Sequence, residues 1–328
     1  MSHRATAVAH PNIALAKYWG KQPFGHNLPA VPSLSVTLAG MTTTTSVELV
    51  AGLGDDELVL GGHRADEPAT ARVRGLLDRV RARTSSAARA RVVSSNDFPT
   101  AAGLASSASA FAALAVAAAA AFDLTADAAD LSDLARRTSV SAARSIFGGF
   151  VALRAGEPDD ETLAAEPLAP PDHWALSVIV AVVREGPKDT SSTAGMLHTV
   201  RTSPYFAAWV HDAPHTFERV HRALLGRDLG ALGDAIEASA LRMHASAFAA
   251  EPGLCYWTGA TVEVMSKLRA LRAAGTPAWF TIDAGPHVKV VTATEHEAAV
   301  TAALAATPGV LRTIATRPGA GARLVEPP

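Results

Sequence analysis

The stretch from residue 99 to residue 122, PTAAGLASSASAFAALAVAAAAAF, constrains the fold of this chain more than any other. A proline and a glycine stand among small residues, and an alanine-rich segment follows without a break. This order predicts a loop that opens directly onto a helix N-terminus, where unpaired N–H groups and the helix dipole attract phosphate. The stretch matches neither GxxxxGK[ST] nor GxGxxG. A phosphate-binding loop and a loop that is small only for packing therefore both stay open.

The residues inside this stretch have the chemistry that a polyphosphate needs. Gly103 would let phosphate approach the backbone closely. Ser106 and Ser107 add hydroxyl donors and a candidate Mg²⁺ ligand. A strand predicted at residues 89–95 leads into the loop, so the order is strand, loop, helix. That order is the context in which a helix N-terminus binds an anion.

Length and charge limit the classes of function. The chain has 328 residues, which suits two domains, and we predict units at 1–184 and 185–328. A formal net charge of −2 excludes a broad electrostatic footprint for nucleic acid or an anionic membrane, so any anion site must be local.

Cysteine content and hydropathy indicate a cytoplasmic protein. The single Cys255 excludes an internal disulfide and a metal site with several cysteines, which fits a reducing compartment. The N-terminal residues carry no pattern of a secretory signal. The most apolar run, residues 110–122, is shorter than the ~20 residues that cross a bilayer. We therefore expect no membrane and no nucleic acid among the partners.

Apolar periodicity divides the rest of the chain into short strands and long helices. Strands are predicted at residues 5–9, 33–39, 43–50, 55–60, 89–95, 150–154, 174–183, 278–282, 288–292 and 310–315. Helices are predicted at residues 68–83, 110–122, 131–139, 205–225, 229–247, 258–273 and 295–306. We expect a hairpin through Gly40, an ordered loop over residues 12–27 and an exposed connection over residues 156–172.

Two polar clusters in the N-terminal half could bind an anion. Lys17, Tyr18 and Lys21 would form a compact clamp, although two solvated surface lysines are the simpler interpretation. Arg144 stands among serines before Gly148 and Gly149, and its planar fork matches carboxylate or phosphate oxygens. Function and structure remain equally open for this arginine.

Three features of the C-terminal half also stay open. The hydroxyls of residues 190–193 precede a predicted helix, so they form a second anion-binding terminus or a helix N-cap. Asp283 ends an apolar strand before an Ala-Gly-Pro turn, as a turn-stabilising residue or a catalytic carboxylate. His244 lies on a predicted helix face, either for proton transfer or as a structural residue.

Several segments, taken in order, resemble the diphosphomevalonate decarboxylase family. They read HPNIALAKYWGK, NDFPTAAGLASSASAFAAL, SVSAARSIFGGF, KDTSSTAGM, HTVRTSPYF, MHASAF and FTIDAGPHV, from about residue 10 to residue 290. That family belongs to the GHMP kinase superfamily, named for galactokinase, homoserine kinase, mevalonate kinase and phosphomevalonate kinase. The resemblance implies an α/β (α+β) fold with two domains. The N-terminal domain would be a mixed sheet with helices that binds ATP, and the C-terminal domain would be ferredoxin-like.

The resemblance also implies a reaction, its cofactors and its ligands. The reaction is ATP-dependent decarboxylation of (R)-mevalonate 5-diphosphate to isopentenyl diphosphate, ADP, phosphate and CO₂, with ATP and Mg²⁺ as cofactors. The nucleotide contacts implied are Ser94, Asn96, Ala101, Gly103, Leu104, Ala105, Ser106 and Ser107, with Ser107 as the Mg²⁺ ligand. The substrate contacts implied are Tyr18, Trp19, Gly20, Lys21, Ser139, Ser141, Arg144, Ser192 and Thr193.

Three residues match the family's catalytic positions. Asp283 would orient or deprotonate the C3 hydroxyl of the substrate, and Lys17 would keep that carboxylate ionised. Arg144 would grip the substrate carboxylate while phosphate and CO₂ depart. Relatives commonly form homodimers, so we expect one here.

Some positions depart from the family pattern. His287 replaces an asparagine, Gln22 a basic residue and Pro32 a polar one. An arginine that some relatives use on the substrate diphosphate has only Arg72 and Arg74 as candidates. Three alternatives therefore stay open, namely a decarboxylase of mevalonate 5-phosphate, a kinase that stops at the 3-phosphate, and a catalytically silent binding protein.

Overall fold

The computed structural model describes residues 3–98, 106–186 and 189–326, which form three β-sheets with helices around them. The strands are β1 (Arg4–Ala9), β2 (Asn12–Ala16), β3 (Ser33–Thr37), β4 (Thr43–Leu49), β5 (Glu57–Leu60), β6 (His63–Arg64), β7 (Ala90–Asn96), β8 (Phe150–Leu153), β9 (Glu166–Ala169), β10 (Leu176–Val182), β11 (Trp279–Ile282), β12 (Val288–Ala293), β13 (Arg312–Thr316) and β14 (Arg323–Val325). The helices are α1 (Glu67–Thr84), α2 (Ser106–Ala121), α3 (Ala128–Thr138), α4 (Ala142–Ser145), α5 (Ser192–Thr202), α6 (Phe206–Leu225), α7 (Leu229–Phe248), α8 (Gly259–Ala273) and α9 (Glu297–Ala305).

The largest sheet has the strand order β14-β1-β4-β7-β5-β6. Strands β5 and β7 run parallel while the other neighbours run antiparallel, so the sheet is mixed, as predicted. Helix α2 packs against β1 and β4 and is buried over most of its surface. Alanine suits this position because its small side chain lets the helix lie close to the sheet.

A second, antiparallel sheet has the order β2-β3-β8-β9 and connects the two halves of the chain. Ile13 of β2 and Val36 of β3 share one hydrophobic core with Val180 of β10 and Ile236 of α7. The N-terminal and C-terminal halves therefore pack through apolar side chains next to the end of β2.

The third sheet is antiparallel with the order β11-β12-β10-β13 and carries helices on both faces. Along β10, Val178 and Val180 face the core shared with β2, whereas Ile179 faces a core with Val264 of α8 and Val300 of α9. Burial on both faces explains why this strand is a continuous apolar run in the sequence. The predicted α/β fold is confirmed, and the ferredoxin-like form of the C-terminal domain stays a prediction.

The predicted hairpin through Gly40 is wrong. Strand β3 pairs with β2 and β8, whereas β4 pairs with β1 and β7, so the two strands belong to different sheets. Gly40 has φ +69°, and it lies where the chain crosses from one sheet to the other. Alternating polar and apolar residues predict each strand but carry no information about its partner.

Two predictions of irregular structure were also wrong in part. Residues 12–16 form β2, in which all five residues are buried. Asn12 does not disrupt the strand because its side chain donates hydrogen bonds to Ser141 O at 2.9 Å and Ser145 Oγ at 2.8 Å. The predicted exposed connection over residues 156–172 contains β9 and the buried Leu163.

The pairing of β10 bears on where the domains divide. The predicted division between residues 184 and 185 falls after β10, but β10 pairs with β12 and β13 of the C-terminal half. This pairing favours a division ahead of β10, and the position of the boundary stays a prediction. Near the other end, β14 returns to pair with β1, so the N-terminal sheet includes residues from both ends of the described chain.

No helix within residues 3–98, 106–186 and 189–326 is both long enough and apolar enough to cross a bilayer.

Candidate active site

A carboxylate held between two lysines forms the centre of the site. Asp283 follows β11, and a turn begins there, with Gly285 N donating to Asp283 O at 2.7 Å. Lys17 Nζ lies 2.5 Å from Asp283 Oδ1, and Lys289 Nζ lies 3.1 Å from Asp283 Oδ2. Both lysines are buried, and they come from opposite halves of the chain.

The two lysines determine the charge of the carboxylate. Burial by itself would raise the pKa of Asp283, but the attraction of Lys17 and Lys289 outweighs it and holds that pKa well below its usual range. Burial lowers the pKa of Lys17 to about 8, although Asp283 opposes the shift. The carboxylate is therefore ionised at neutral pH, while Lys17 titrates just above neutrality.

Backbone contacts fix Lys17 against the C-terminal half. Lys17 N donates to Ser239 Oγ of α7 at 2.9 Å. Thr281 Oγ1 of β11 donates to Ala14 O of β2 at 3.2 Å. The end of β2 is thus joined to β11 and α7, so the contact between Lys17 and Asp283 depends on the packing of both halves.

Arg144 lies in α4 and faces the same site. Its side chain is 1% exposed, its Nε donates to Ser35 Oγ at 3.0 Å, and its Nη1 donates to Ser33 Oγ at 2.7 Å. Burial lowers the pKa of Arg144 to about 10, against the opposing influence of Tyr18 and Asp283. The guanidinium is still charged at neutral pH, and among the described residues its Nη2 makes no hydrogen bond. The predicted convergence of Arg144, Lys17 and Asp283 is what the structure shows.

Tyr18 presents a buried hydroxyl to this region. Its Oη has no hydrogen-bond partner among the described residues. Burial raises the pKa of Tyr18 well above its usual range, although Arg144 opposes the shift. A buried hydroxyl without a partner costs free energy unless a ligand completes its hydrogen bond. The hydroxyl is therefore neutral and available as a donor to a ligand.

Lys21 and Arg72 form a second pair of cations. Burial first, and then the charge of Arg72, lowers the pKa of Lys21. The Arg72 guanidinium lies 4.5 Å from the centroid of the Phe111 ring. Arg74, by contrast, is paired with Asp55 at 2.8 Å on the surface. Of the two arginines left open by the sequence, Arg72 lies beside the lysine clamp.

A cavity of about 730 Å³ opens beside Lys21. Its lining combines Thr138 and Arg137 at the end of α3 with apolar side chains such as Leu197 of α5 and Phe206 of α6. The cavity gives Lys21 access from outside the protein.

The predicted serine ligands occupy the ends of helices. Ser139 directly follows α3, and its Oγ lies 3.2 Å from Ser141 Oγ. Ser191 is the N-cap of α5, since its side chain accepts from Ala194 N at 3.2 Å. Ser192 and Thr193 begin the same helix, and Thr193 is exposed. Their roles as substrate contacts stay predictions.

Trp19 and Gly20 lie in packed surroundings. The Trp19 ring meets Tyr256 edge-on with centroids 6.1 Å apart, and Trp19 O accepts from Trp209 Nε1 at 2.9 Å. Gly20 has φ +101°, and a Cβ there would lie 2.6 Å from the Phe206 ring. Both residues shape the Lys17–Lys21 segment through packing, and direct contact with substrate stays a prediction.

The predicted nucleotide loop is described only at its end. Ala101, Gly103, Leu104 and Ala105 lie outside the described residues. Ser106 and Ser107 are the first residues of α2, whose first turn contains no acidic residue. This helix terminus has the polarity that phosphate requires.

The other predicted nucleotide residues belong to a hydroxyl network beside that helix. Ser94 Oγ lies 2.8 Å from Thr45 Oγ1, and Asn96 Oδ1 accepts from Thr43 Oγ1 at 2.6 Å. Thr43 Oγ1 also lies 2.6 Å from Ser109 Oγ of α2. The network ties β4 and β7 to α2, so Ser94 and Asn96 lie on the same side of the sheet as its N-terminal turns.

The buried histidines have structural surroundings. His244 Nε2 lies 3.3 Å from Ile282 O, and the ring packs 5.0 Å from that of Trp257. Burial lowers the pKa of His244 to about 3, with Lys17 acting in the same direction. This neutral ring favours the structural interpretation over proton transfer. His287 is also buried, and its Nδ1 accepts from Val183 N at 3.3 Å.

Lys289 is the site residue that the sequence analysis missed. In β12 it stands directly opposite Thr281 of β11, two residues before Asp283. A lysine among the valines of β12 could have indicated this role, because a lysine is rarely buried without a partner.

The site combines a buried carboxylate between two lysines, an arginine that faces it and a helix N-terminus on the adjoining sheet. In a mixed α/β chain, this combination indicates a two-domain protein of the GHMP kinase fold. Solved structures agree. The chain superimposes on mevalonate diphosphate decarboxylase from Staphylococcus aureus with a TM-score of 0.94 and 36% identity, over 99% of both chains. It also superimposes on MDDEF in complex with MVAPP, AMPPCP and magnesium, with a TM-score of 0.93 and 40% identity over 100% of both chains.

Sequence comparison specifies the family. The diphosphomevalonate decarboxylase-like N-terminal domain matches residues 9–164, and the mevalonate 5-diphosphate decarboxylase C-terminal domain matches residues 178–317. Diphosphomevalonate decarboxylase of Candida albicans is 34% identical over 303 residues, which cover 88% of this chain and 84% of the relative. The chain therefore belongs to the diphosphomevalonate decarboxylase family, and the predicted resemblance is confirmed.

Proposed function

We propose that this chain is an ATP-dependent decarboxylase of (R)-mevalonate 5-diphosphate. The products are isopentenyl diphosphate, ADP, phosphate and CO₂, and the reaction proceeds through transient 3-O-phosphorylation in the mevalonate pathway. The convergence of Asp283, Lys17 and Arg144 carries the proposal. Membership of the family supports it, as does MDDEF, which binds MVAPP together with the ATP analogue AMPPCP.

Asp283 would act on the C3 hydroxyl of the substrate. Because Lys17 and Lys289 hold the carboxylate ionised, it accepts a hydrogen bond from that hydroxyl and aims its oxygen at the phosphoryl group. Orientation and acceptance of the proton are both consistent with an ionised carboxylate. Phosphorylation then turns a poor leaving group into a good one.

Arg144 would hold the substrate carboxylate. Ser33 and Ser35 fix two of its nitrogens, so the planar group is positioned before the substrate binds. The buried positive charge holds the carboxylate in place until CO₂ leaves, while the phosphate at C3 departs with its bonding electrons. The double bond forms between the two carbons that these groups leave.

The diphosphate end of the substrate would lie on the cations beside the cavity. The charge of Arg72 contributes to the lowered pKa of Lys21, and Tyr18 adds a neutral donor whose hydroxyl has no partner among the described residues. Ser139 and Ser141 add hydroxyls at the end of α3. Two cations suit a diphosphate better than a single phosphate, so Arg72 supports the 5-diphosphate as substrate.

ATP and Mg²⁺ fit the residues that begin α2. The described residues contain no group of three His, Cys, Asp or Glu side chains that could hold a metal ion. Mg²⁺ commonly takes most of its ligands from phosphate oxygens and water, and the exposed hydroxyl of Ser107 could complete such a set. When bound, ATP with Mg²⁺ supplies the phosphoryl group for the C3 oxygen. The N-terminus of α2, with Ser106 and Ser107, would hold its phosphates, and Ser94 and Asn96 its adenosine end.

A direct assay tests the reaction. The protein is incubated with ATP, Mg²⁺ and either mevalonate 5-diphosphate or mevalonate 5-phosphate, and ADP and CO₂ are both followed. We expect ADP and CO₂ in equal amounts with the diphosphate and none with EDTA present. Turnover of only the monophosphate would show the other decarboxylase, ADP without CO₂ a kinase, and neither product a silent binding protein.

Assembly and location are also part of the proposal. We propose a homodimer, which the resemblance supports, and a cytoplasmic location, which a chain with a single cysteine supports. Light scattering of the purified protein at several concentrations would measure the first, and fractionation of the source cells the second.

A further inference from the structure

Two lysines contact the carboxylate of Asp283, and they come from different halves of the chain. Lys289 lies in β12, hydrogen-bonded to β11, and Asp283 directly follows β11. Lys17 reaches the same carboxylate from the N-terminal half. A shift of the two halves would therefore change the contact of Lys17 but not that of Lys289.

Each of the two lysines contacts a different oxygen of Asp283. Lys289 Nζ lies 3.1 Å from Oδ2, and Lys17 Nζ lies 2.5 Å from Oδ1. Because Lys289 is 0% exposed, its ammonium does not exchange this contact for water. An ion pair on the second oxygen opposes rotation about χ2, so it favours one direction of Oδ1 before any ligand arrives.

We propose that Lys289 is a positioning residue for the decarboxylation, holding Asp283 Oδ2 so that Oδ1 is aimed at the substrate hydroxyl and stays ionised. This inference rests on the proposed function of the site. Lys289 would act through Asp283 Oδ2, whereas Lys17 approaches the oxygen that the substrate would use.

Other charged and titratable groups surround Asp283. Lys17 at the end of β2 and Arg144 of α4 are cationic, and both act on the same carboxylate. His244 of α7 is neutral, because burial lowers its pKa to about 3. With Lys289 removed, Lys17 and Arg144 would still favour the ionised carboxylate, so its pKa would rise only in part.

The test substitutes Lys289→Met, which keeps most of the length of the side chain and removes its charge. An opposite charge at this distance shifts a carboxyl pKa by about 1–3 units. Activity requires the ionised carboxylate and falls as pH drops through its pKa, so the acid limb of the kcat profile should move up by about 1–3 pH units. We expect kcat at pH 7.5 to fall about 10- to 100-fold, with KM for mevalonate 5-diphosphate changed less than about threefold.

Two further variants complete the design. Lys289→Arg keeps the charge, so its acid limb should stay at the wild-type pH even where kcat is reduced. Lys267→Met removes an exposed lysine of α8 and controls for the loss of one positive charge. It should match the wild type in kcat and in pH profile.

Several outcomes would overturn the inference. One is a Lys289→Met variant with wild-type kcat, and another is a reduced kcat whose acid limb has not moved, which would indicate only a structural role. If Lys289→Met does not fold, Lys289→Gln takes its place under the same criteria, and binding of an ATP analogue verifies its fold. Absence of CO₂ release by the wild type itself would refute the proposed function instead, so the two failures are distinguishable.

Discussion

Asp283→Asn removes a negative charge from between two buried ammonium groups while keeping the size of the side chain. Asp283 lies 2.5 Å from Lys17 Nζ and 3.1 Å from Lys289 Nζ, so both lysines lose the same partner. Removing one member of a buried ion pair costs about 3–5 kcal/mol, because the remaining charge stays in a poorly polarisable interior. Lys17, whose pKa is already about 8, can limit this cost by releasing its proton. We expect a loss of about 3 kcal/mol in the free energy of unfolding at pH 7.5.

The effect on turnover should be larger than the effect on binding. The amide that replaces the carboxylate would carry no charge and could not accept the proton of the C3 hydroxyl. Proton transfer to a positioned side chain contributes about 10²- to 10⁴-fold to a rate, so we expect kcat for CO₂ release to fall by that factor. Nucleotide binding should persist, because α2, Ser94 and Asn96 belong to the N-terminal sheet and the helix packed on it.

Three measurements check this prediction. Denaturant unfolding gives the stability, a coupled assay of ADP and CO₂ gives the turnover, and titration with an ATP analogue gives nucleotide binding. Asp212→Asn is the matched control, since Asp212 pairs with Arg242 at the surface, and its loss should cost less than about 1 kcal/mol. An Asp283→Asn variant with near wild-type turnover would refute the role assigned to this carboxylate.

Other substitutions and pH test the remaining parts of the site. Arg144→Gln should lower kcat for CO₂ release about 10²- to 10³-fold, because a preorganised charge facing the substrate is lost; equal CO₂ yields from variant and wild type would contradict this role. Arg72→Met should raise KM for mevalonate 5-diphosphate about 10- to 100-fold with kcat unchanged, because a hydrogen bond to a charged group is lost. The control Arg74→Met on the surface should change KM less than about twofold. The pKa of Lys17 is 10.5 in the unfolded chain and about 8 in the folded protein. The unfolded state therefore binds more protons in that window, and stability should rise there with pH by up to about 3 kcal/mol. Denaturant unfolding should show this rise in the wild type and not in Lys17→Met.

The helices and most strands could be predicted from local patterns. Helices α6, α7 and α8 begin and end within about two residues of their predicted bounds, because apolar spacing and capping residues are local signals. The strands β3 and β4 were predicted from alternation, but their partners were not. Pairing depends on residues far away in the chain, and so the predicted hairpin failed.

The site was predicted unevenly for a similar reason. Lys17, Arg144 and Asp283 stand in motifs that can be compared with a known family, and the structure brings them together. Lys289 lies in none of the segments that resemble the family, and only its register opposite Thr281 places it next to Asp283. Nothing in the sequence distinguishes Arg72 from Arg74, two residues away, until the helix places one beside Lys21 and the other beside Asp55.

The sequence by itself determined most of the helices and strands, and it contained the motifs of Lys17, Arg144 and Asp283, because periodicity and motif spacing are properties of neighbouring residues. The resemblance implied that Lys17 keeps Asp283 ionised, but the tertiary structure decided how burial and both lysines shift the pKa of each group. Asp283 is ionised and the pKa of Lys17 is lowered to about 8 because burial and neighbouring charges act on them together. Burial and charge proximity are set by segments far apart in the chain, such as those of Lys17 and Asp283, whose separation is 266 residues. No local pattern can encode that contact.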